Sequence, residues 1–170
     1  NLQATLRALL EVEERLSALV LRTSRLLYAT TPASKYATAF FLLLDPATGC
    51  CRYVNAGHNA GLVLRANGTV QELPATGFPV GLMGIGDYRE EELSLAPGDA
   101  IALYSDGVNE ANDRDGAEFG MERLEASLLS LKDRSAEDMV DGVFNAVDAF
   151  ATGAPQYDDI TMLVAKRRRG

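Results

Sequence analysis

Cysteine and histidine, the residues that build disulfide frameworks, zinc sites and many catalytic triads, are scarce in this sequence. Its 170 residues include two cysteines and one histidine, and the cysteines are adjacent at positions 50 and 51. Because neighbouring residues of a strand point to opposite faces, Cys50 and Cys51 are poorly placed to bridge each other or to share a metal ion. We therefore expect a reducing, cytoplasmic setting, and neither a zinc site nor a nucleophilic triad.

Long apolar runs and an excess of positive charge are also missing. No run approaches the roughly 20 apolar residues of a membrane span, and no signal-peptide pattern opens the chain, so we expect no membrane contact by this domain. The formal net charge is -8, which argues against a nucleic-acid partner because such binders usually present a basic face. The basic cluster at 166–169 is interpreted as a solvated tail.

What is present is the composition of an ordinary globular domain. Hydrophobic residues make up 47% of the chain and charged residues 24%, a mixture that excludes the disordered and fibrous classes. A chain of this length suits one domain with a substantial core.

Hydrophobic periodicity predicts helices near both ends of the chain and strands between them. Leucines at spacings of three, four and seven predict one long helix over 1–29. The other predicted helices span 121–131 and 135–151, and the predicted strands span 37–44, 50–55, 61–65, 69–73, 90–95, 99–104 and 160–165. Helices that segregate from strands indicate an α+β fold with an antiparallel sheet.

Carboxylates adjoin apolar strands at two places. Asp106 follows the predicted strand 99–104 and precedes Gly107, a residue that permits a sharp turn or close approach to an ion. Asp158 and Asp159 stand just before the final strand. If the strand ends meet, Asp106 and Asp158 converge, and their oxygens suit Mg²⁺ or Mn²⁺. Two such ions about 4 Å apart can activate a water molecule and stabilise the leaving oxygen of a phosphate ester.

Each of these features also has an ordinary structural interpretation. Asp-Gly is a common turn pair, and two adjacent aspartates can simply end a loop. His58 lies in the Gly- and Asn-rich stretch 55–59, where a histidine is typical of a hydrogen-bonding turn. It can equally orient a substrate or act as a general acid, and the residues alone leave these alternatives open.

Three motifs in a fixed order resemble a known family. They are NAGHN at 55–59, YSDGVNEA at 104–111 and DDIT at 158–161, with FPVGL at 78–82 between the first two. In order and separation they resemble the SpoIIE/RsbU-like branch of the metal-dependent PPM (PP2C-like) phosphatases, over essentially the whole chain. The resemblance implies a PP2C-like α/β/β/α sandwich of two mainly antiparallel sheets flanked by helices. Asn109 stands where the family more often has threonine.

The resemblance also implies roles for individual residues. Asp106 would be a ligand of a two-ion Mn²⁺ or Mg²⁺ site, and Asp158 would be its C-terminal ligand. The residues expected to support these ligands or to lie in the cleft are Gly107, Asp159, Thr161, His58 and Asn55. A metal-activated water would hydrolyse phosphoserine or phosphothreonine in bacterial signalling. The expected partner is a phosphoprotein substrate, a STAS-type anti-sigma-factor antagonist.

One family feature is absent from the sequence. The early Gly-Asp-x-Ser-Gly motif, whose Asp bridges the two metals in the family, does not precede the first predicted helix. We therefore expect a single PPM-type domain over 1–170 that is incomplete at its N-terminus, lacking the first strands and one metal ligand.

Two alternatives remain, of which the first is favoured by that absence, and the first helix carries one further expectation. The chain can be a catalytically inactive phosphatase-like regulatory or binding module. An acidic α+β binding domain unrelated to phosphatases would require the three motifs to coincide by chance. The predicted N-terminal helix is also a candidate surface for a homodimer, although its leucines equally fit ordinary core packing.

Overall fold

The computed structural model of the chain describes residues 3, 6, 7, 9, 13–32, 34–84 and 86–169. It divides into two compact units, each assembled from two stretches of the chain. The first unit comprises Asn1–Ala60 and Pro74–Ser94, and the second comprises Gly61–Leu73 and Leu95–Gly170. The single domain expected over 1–170 stays a prediction.

The regular elements follow the predicted order of helix, strands, helices and a last strand. The helices are α1 (Leu16–Thr30), α2 (Asp106–Asn109), α3 (Gly120–Ser130) and α4 (Ala136–Phe150). The strands are β1 (Ala39–Leu44), β2 (Cys50–Ala56), β3 (Gly61–Leu64), β4 (Val70–Leu73), β5 (Glu91–Ser94), β6 (Ala100–Tyr104) and β7 (Met162–Lys166). Within the described residues no helix has the length and apolar character that crossing a bilayer requires.

The first unit contains a three-stranded antiparallel sheet in the order β1-β2-β5. Helix α1 contributes Leu19 and Val20 to a core that also contains Val54 and Ala56 of β2. Ser24, a buried polar residue of the same helix, accepts hydrogen bonds from the Tyr88 hydroxyl and the Gly81 amide, each at 3.0 Å. The first unit therefore joins α1 to its loops through buried polar contacts as well as apolar packing.

The predicted continuous helix over 1–29 is wrong at one point. The described residues between 3 and 9 are helical, but residues 13–15 are not, and α1 begins afresh at Leu16. The interruption has no glycine or proline to mark it, and the leucine spacing continues across it. Leu9 and Leu16, seven residues apart, are both buried in the core of the first unit, so the pattern conceals the break.

The second unit contains a four-stranded antiparallel sheet in the order β4-β3-β6-β7. Its core joins Leu62 and Ala102 of the central strands to one stripe of α4, formed by Met139, Val143 and Val147 at intervals of four residues. The predicted hairpin around Asn67-Gly68 is confirmed as β3 and β4. The α+β class with two antiparallel sheets is likewise confirmed.

The basic cluster at 166–169 is not wholly a solvated tail. Lys166 ends β7, where it pairs with Ala100 of β6. Arg167 continues the pairing, since its amide donates to the Asp99 carbonyl at 2.9 Å and its carbonyl accepts from the Gly98 amide at 2.8 Å. The interpretation as a solvated tail was wrong for these two half-buried residues, because the pattern of charge does not reveal strand pairing.

Candidate functional site

The two aspartate stretches of the second unit meet beside the paired ends of β6 and β7. The Ser105 amide donates to the Thr161 carbonyl at 2.9 Å, and the Thr161 amide donates to Ser105 Oγ at 2.9 Å. The same hydroxyl donates to the Asp159 carbonyl at 2.8 Å. Ser105, to which the sequence assigned no role, is therefore the residue that ties Asp106 to the stretch containing Asp158.

Gly107 lets the two backbones touch. A Cβ atom at this position would lie 2.6 Å from the Asp159 carbonyl oxygen and 3.4 Å from that of Asp158. No side chain fits there unless the backbone at 158–159 moves. The sequence suggested that Gly107 permits a sharp turn or close approach to an ion. In the structure, Gly107 permits close approach to the backbone of Asp158 and Asp159.

Both candidate carboxylates are exposed and held locally. Asp106 Oδ1 accepts from the Gly107 amide at 3.1 Å, and Asp158 Oδ1 accepts from the Asp159 amide at 2.7 Å. The Gln156 side-chain amide donates to the Asp158 carbonyl at 2.8 Å. The two amide bonds each engage one carboxylate oxygen, Oδ1, and in the described part of the chain no hydrogen bond engages either Oδ2.

The donor set fits a hard divalent cation in chemistry, although it is small. Carboxylate oxygens are the ligands that Mg²⁺ and Mn²⁺ prefer, and Asp106 and Asp158 supply them from adjoining segments. Across residues 3–169, wherever the structure describes them, no group of three or more His, Cys, Asp or Glu side chains is arranged to hold a metal. A complete ion site would need further oxygen ligands beside these two carboxylates.

A cavity of about 500 Å³ adjoins this site within the second unit. Its lining includes Glu110, Glu118, Asp148, Asp158 and Tyr157, and among the described residues no Lys or Arg lines it. The sequence does not predict that these acids share one cavity, because Glu118 and Asp148 belong to none of the three motifs. Only Glu110 and Asp158 carried a signal, as parts of the motifs at 104–111 and 158–161. Acidic residues thus outnumber basic ones in the lining, although the Arg114 guanidinium lies beside it, where its Nε donates to the Thr152 carbonyl at 3.1 Å.

Asn55 and His58 lie together in the first unit, where they organise a turn. Asn55 is fully buried and its Oδ1 accepts from the His58 amide at 2.8 Å. The imidazole Nδ1 of His58 lies 3.3 Å from Thr38 Oγ1. Gly57 has φ +70°, and a Cβ there would lie 2.7 Å from two ring carbons of Pro79. These contacts match the turn interpretation of His58, and its expected place in the cleft stays a prediction.

Comparison with known proteins adds independent findings. A family model described as Stage II sporulation protein E (SpoIIE) matches residues 1–168. Protein IcfG of Synechocystis is 32% identical over 132 residues, which cover 78% of this chain and 21% of IcfG. Phosphoserine phosphatase RsbU of Bacillus subtilis is 27% identical over 148 residues, which cover 85% of this chain and 43% of RsbU. The chain thus spans less than half the length of either relative.

Among solved structures, the SiaA-PP2C domain of Pseudomonas aeruginosa has a similar fold. It superposes with a TM-score of 0.83 at 23% identity, over 97% of this chain and 67% of that one. At this identity the likeness concerns the fold alone, and it confirms the expected PP2C-like architecture.

Proposed function

This chain belongs to the SpoIIE family of PP2C-like phosphatases in bacterial signalling, and from that premise we propose that it hydrolyses phosphoserine or phosphothreonine in a protein substrate. The observation that carries the proposal is the contact of residues 105–107 with 158–161, which sets Asp106 and Asp158 on adjoining backbone. If Asp106-Gly107 were only a turn and Asp158-Asp159 only the end of a loop, the two segments would have no need to contact each other.

In this proposal Asp106 and Asp158 hold the Mn²⁺ or Mg²⁺ ions. When bound, the ions would supply Lewis acidity to a water molecule and to the phosphate ester. Ser105 and Gly107 are positioning residues, because they fix the two backbone segments against each other. Asp159 and Thr161 support the site through backbone atoms, by the carbonyl oxygens and the amide that face Ser105.

The proposed substrate is a phosphorylated STAS-type anti-sigma-factor antagonist in the cytoplasm. A relative that is named a phosphoserine phosphatase, RsbU, supports a phosphoprotein substrate over a small metabolite. The exposed carboxylates of Asp106 and Asp158 also suit a protein substrate, since a phosphorylated side chain can reach them from the surface.

The test is Mn²⁺-dependent hydrolysis of p-nitrophenyl phosphate by the full-length gene product, its Asp158→Ala variant and an Asp141→Ala control. Asp141 is an exposed aspartate of α4 that lines neither described cavity, so its replacement matches the loss of charge without touching the site. We expect turnover that requires Mn²⁺ and falls by about 10²-fold or more in Asp158→Ala only, as loss of a transition-state contact does.

An inert full-length protein would instead favour the second candidate, a catalytically inactive phosphatase-like binding module. That candidate is favoured because, among the described residues, no three metal-ligating side chains are grouped. To decide between the two, the full-length protein is also incubated with a phosphorylated STAS-type protein. Release of phosphate supports the enzyme, whereas stable binding without release supports the module.

A homodimer through the N-terminal helix is a separate proposal. Leu16 and Leu19 of α1 are buried in the core of the first unit, whereas Leu26 is 44% exposed and Tyr28 is 46% exposed. The two exposed side chains are the candidates for a contact between copies. Sedimentation equilibrium of Leu26→Lys checks this, and an unchanged molecular mass would contradict a dimer through this face.

A further inference from the structure

A second cavity of about 500 Å³ lies in the second unit and has the opposite charge to the first. The charged side chains that line it are Arg134, Lys166, Arg168, Arg169 and Asp133. Four cations face one carboxylate, although the whole chain carries a net charge of -8. Three of the cations belong to the basic run at 166–169, and the fold adds Arg134 to them from a distant part of the sequence.

Two segments far apart in the sequence build this basic cavity. One is the connection between α3 and α4, and the other is the end of β7 with the residues after it. Lys166 Nζ joins them, since it donates to the carbonyl oxygens of Lys132 and Arg134, the latter at 2.5 Å. Arg169 joins them again through an ion pair with Asp133 at 3.0 Å. Lys166 is therefore held on the paired strand β7, Arg134 on the helix connection, and Arg168 and Arg169 on the residues that follow β7.

The cations oppose one another electrostatically. Burial lowers the pKa of the Lys166 ammonium; Asp133 opposes this effect, while Arg169 and Lys132 add to it. Within the described residues, no hydrogen bond or ion pair engages the guanidinium groups of Arg134 and Arg168. Like charges gathered at a concave surface cost free energy unless an anion is bound between them.

We propose that this basic cavity binds the di- or triphosphate group of a small molecule. Its volume lies within the range of about 300–1,000 Å³ that is usual for small-ligand sites. Guanidinium groups pair with phosphate oxygens through two parallel hydrogen bonds, and Arg134 and Arg168 both line the cavity. Four cations and one carboxylate leave an excess of three positive charges, which matches a diphosphate better than a monophosphate.

The proposed site is separate from the candidate catalytic site. Lys166 pairs with Ala100 at the start of β6, whereas Met162 pairs with Tyr104 at its end, next to Ser105. At about 3.3 Å per residue the two ends of this strand pair lie about 13 Å apart. The proposal of a phosphate-binding cavity therefore stands or falls independently of the proposed phosphatase activity. The N-terminus of α4 is not the binding group, because Ser135 and Asp138 already cap it.

Isothermal titration of the metal-depleted protein with pyrophosphate, at low salt and with sulfate as the comparison anion, tests the proposal. We expect one site per chain with an affinity about tenfold or more above that for sulfate. The double variant Arg134→Gln/Arg168→Gln should bind pyrophosphate about tenfold or more weakly, because its charge-assisted hydrogen bonds to phosphate are lost. Asp133→Asn should bind several-fold more tightly, because a competing carboxylate is removed.

Arg22→Gln is the matched control, since Arg22 is an exposed arginine of the first unit that pairs with Glu13. Its pyrophosphate affinity should equal that of the unchanged protein. Competition with ATP and with inorganic triphosphate distinguishes the source of the phosphate group: stronger displacement by ATP assigns a nucleotide, and equal or weaker displacement by ATP assigns an inorganic polyphosphate.

Equal affinity for pyrophosphate and sulfate would overturn the proposal, as would full binding by the double variant. Thermal melting of each variant establishes that it is folded, so lost binding is not lost structure. Because the protein is free of metal in this titration, a negative result leaves the phosphatase proposal standing.

Discussion

At the scale of single residues, the candidate site depends on a position where no side chain fits. Gly107 packs its α-carbon against the backbone of Asp159 and Asp158. The hydroxyl of Ser105 completes the link through the Asp159 carbonyl and the Thr161 amide. The carboxylates therefore owe their relative placement to backbone contacts, which side-chain substitution elsewhere in the motifs would leave largely intact.

Gly107→Ala should destabilise the second unit and weaken Mn²⁺ binding. The new Cβ would collide with the Asp159 carbonyl, and displacing a packed backbone costs typically about 1–3 kcal/mol. Denaturant unfolding measures the loss of stability, and Mn²⁺ titration measures the loss of affinity. Gly86→Ala is the control, since a Cβ there meets only a Tyr88 ring carbon, at 3.7 Å. Unaltered stability and affinity in Gly107→Ala would show that the backbone contact is dispensable.

At the scale of elements, α4 shows how local rules and tertiary packing combine. Ser135 Oγ accepts from the Asp138 amide at 3.0 Å, and the Asp138 carboxylate accepts from the Ser135 amide at 3.2 Å. This reciprocal cap satisfies two amides that the helix itself leaves unpaired. The apolar stripe of the same helix then packs on the sheet of the second unit.

Ser135→Ala should lower stability by about 0.5–2 kcal/mol, the usual cost of losing an N-cap. Thermal unfolding measures it, and each kcal/mol corresponds to about 2–4 °C in a protein of this size. Ser127→Ala in the interior of α3 is the control, because the Ser127 hydroxyl only donates back to the Arg123 carbonyl. There alanine is the better helix former and no loss is expected. Equal melting temperatures for both variants would contradict a stabilising cap.

At the scale of the whole molecule, one buried carboxylate links distant parts of the second unit. Asp99 is 2% exposed and accepts from the amides of Ala66 and Ala96 and from the Arg65 guanidinium, at 2.8, 3.0 and 2.9 Å. Burial alone would raise the pKa of Asp99, but the hydrogen bonds and the charge of Arg65 outweigh it and hold the pKa below its ordinary value. Asp99 thereby joins the segment that precedes β6 to the turn between β3 and β4.

Asp99→Asn should cost about 1–3 kcal/mol of unfolding free energy at neutral pH, because an NH₂ group replaces one of the two accepting oxygens and leaves at least one buried donor without its acceptor. Since the pKa of Asp99 is lower in the folded than in the unfolded chain, its stabilisation is complete above the unfolded pKa and is lost as the pH falls through the folded one. The difference in unfolding free energy between the two proteins should stay constant between about pH 5 and 8 and shrink below about pH 4.

Denaturant unfolding across this pH range checks the prediction. Asp141→Asn, at an exposed position of α4, serves as the control and should track the unchanged protein throughout. A difference for Asp99→Asn that persists undiminished at pH 3 would contradict the assignment of this acid-sensitive stability to Asp99.

Local features of the sequence determined most of the elements and the family. The Asn67-Gly68 turn, the N-cap at Ser135 and the strands around Asp106 and Asp158 each depend on neighbouring residues, so periodicity and turn chemistry predict them. Three ordered motifs were enough to identify the family. The interruption at 13–15 was not predictable, because leucine spacing of seven survives a break in the helix.

Only the tertiary structure decided which distant residues meet. The antiparallel pairing of β6 with β7 brings Ser105 to Thr161 at one end and Ala100 to Lys166 at the other. One acidic and one basic cavity result, and their lining residues come from segments separated by tens of positions. Charge patterning along the chain does not contain this information, because strand register and helix packing, not sequence proximity, set the distances between charges.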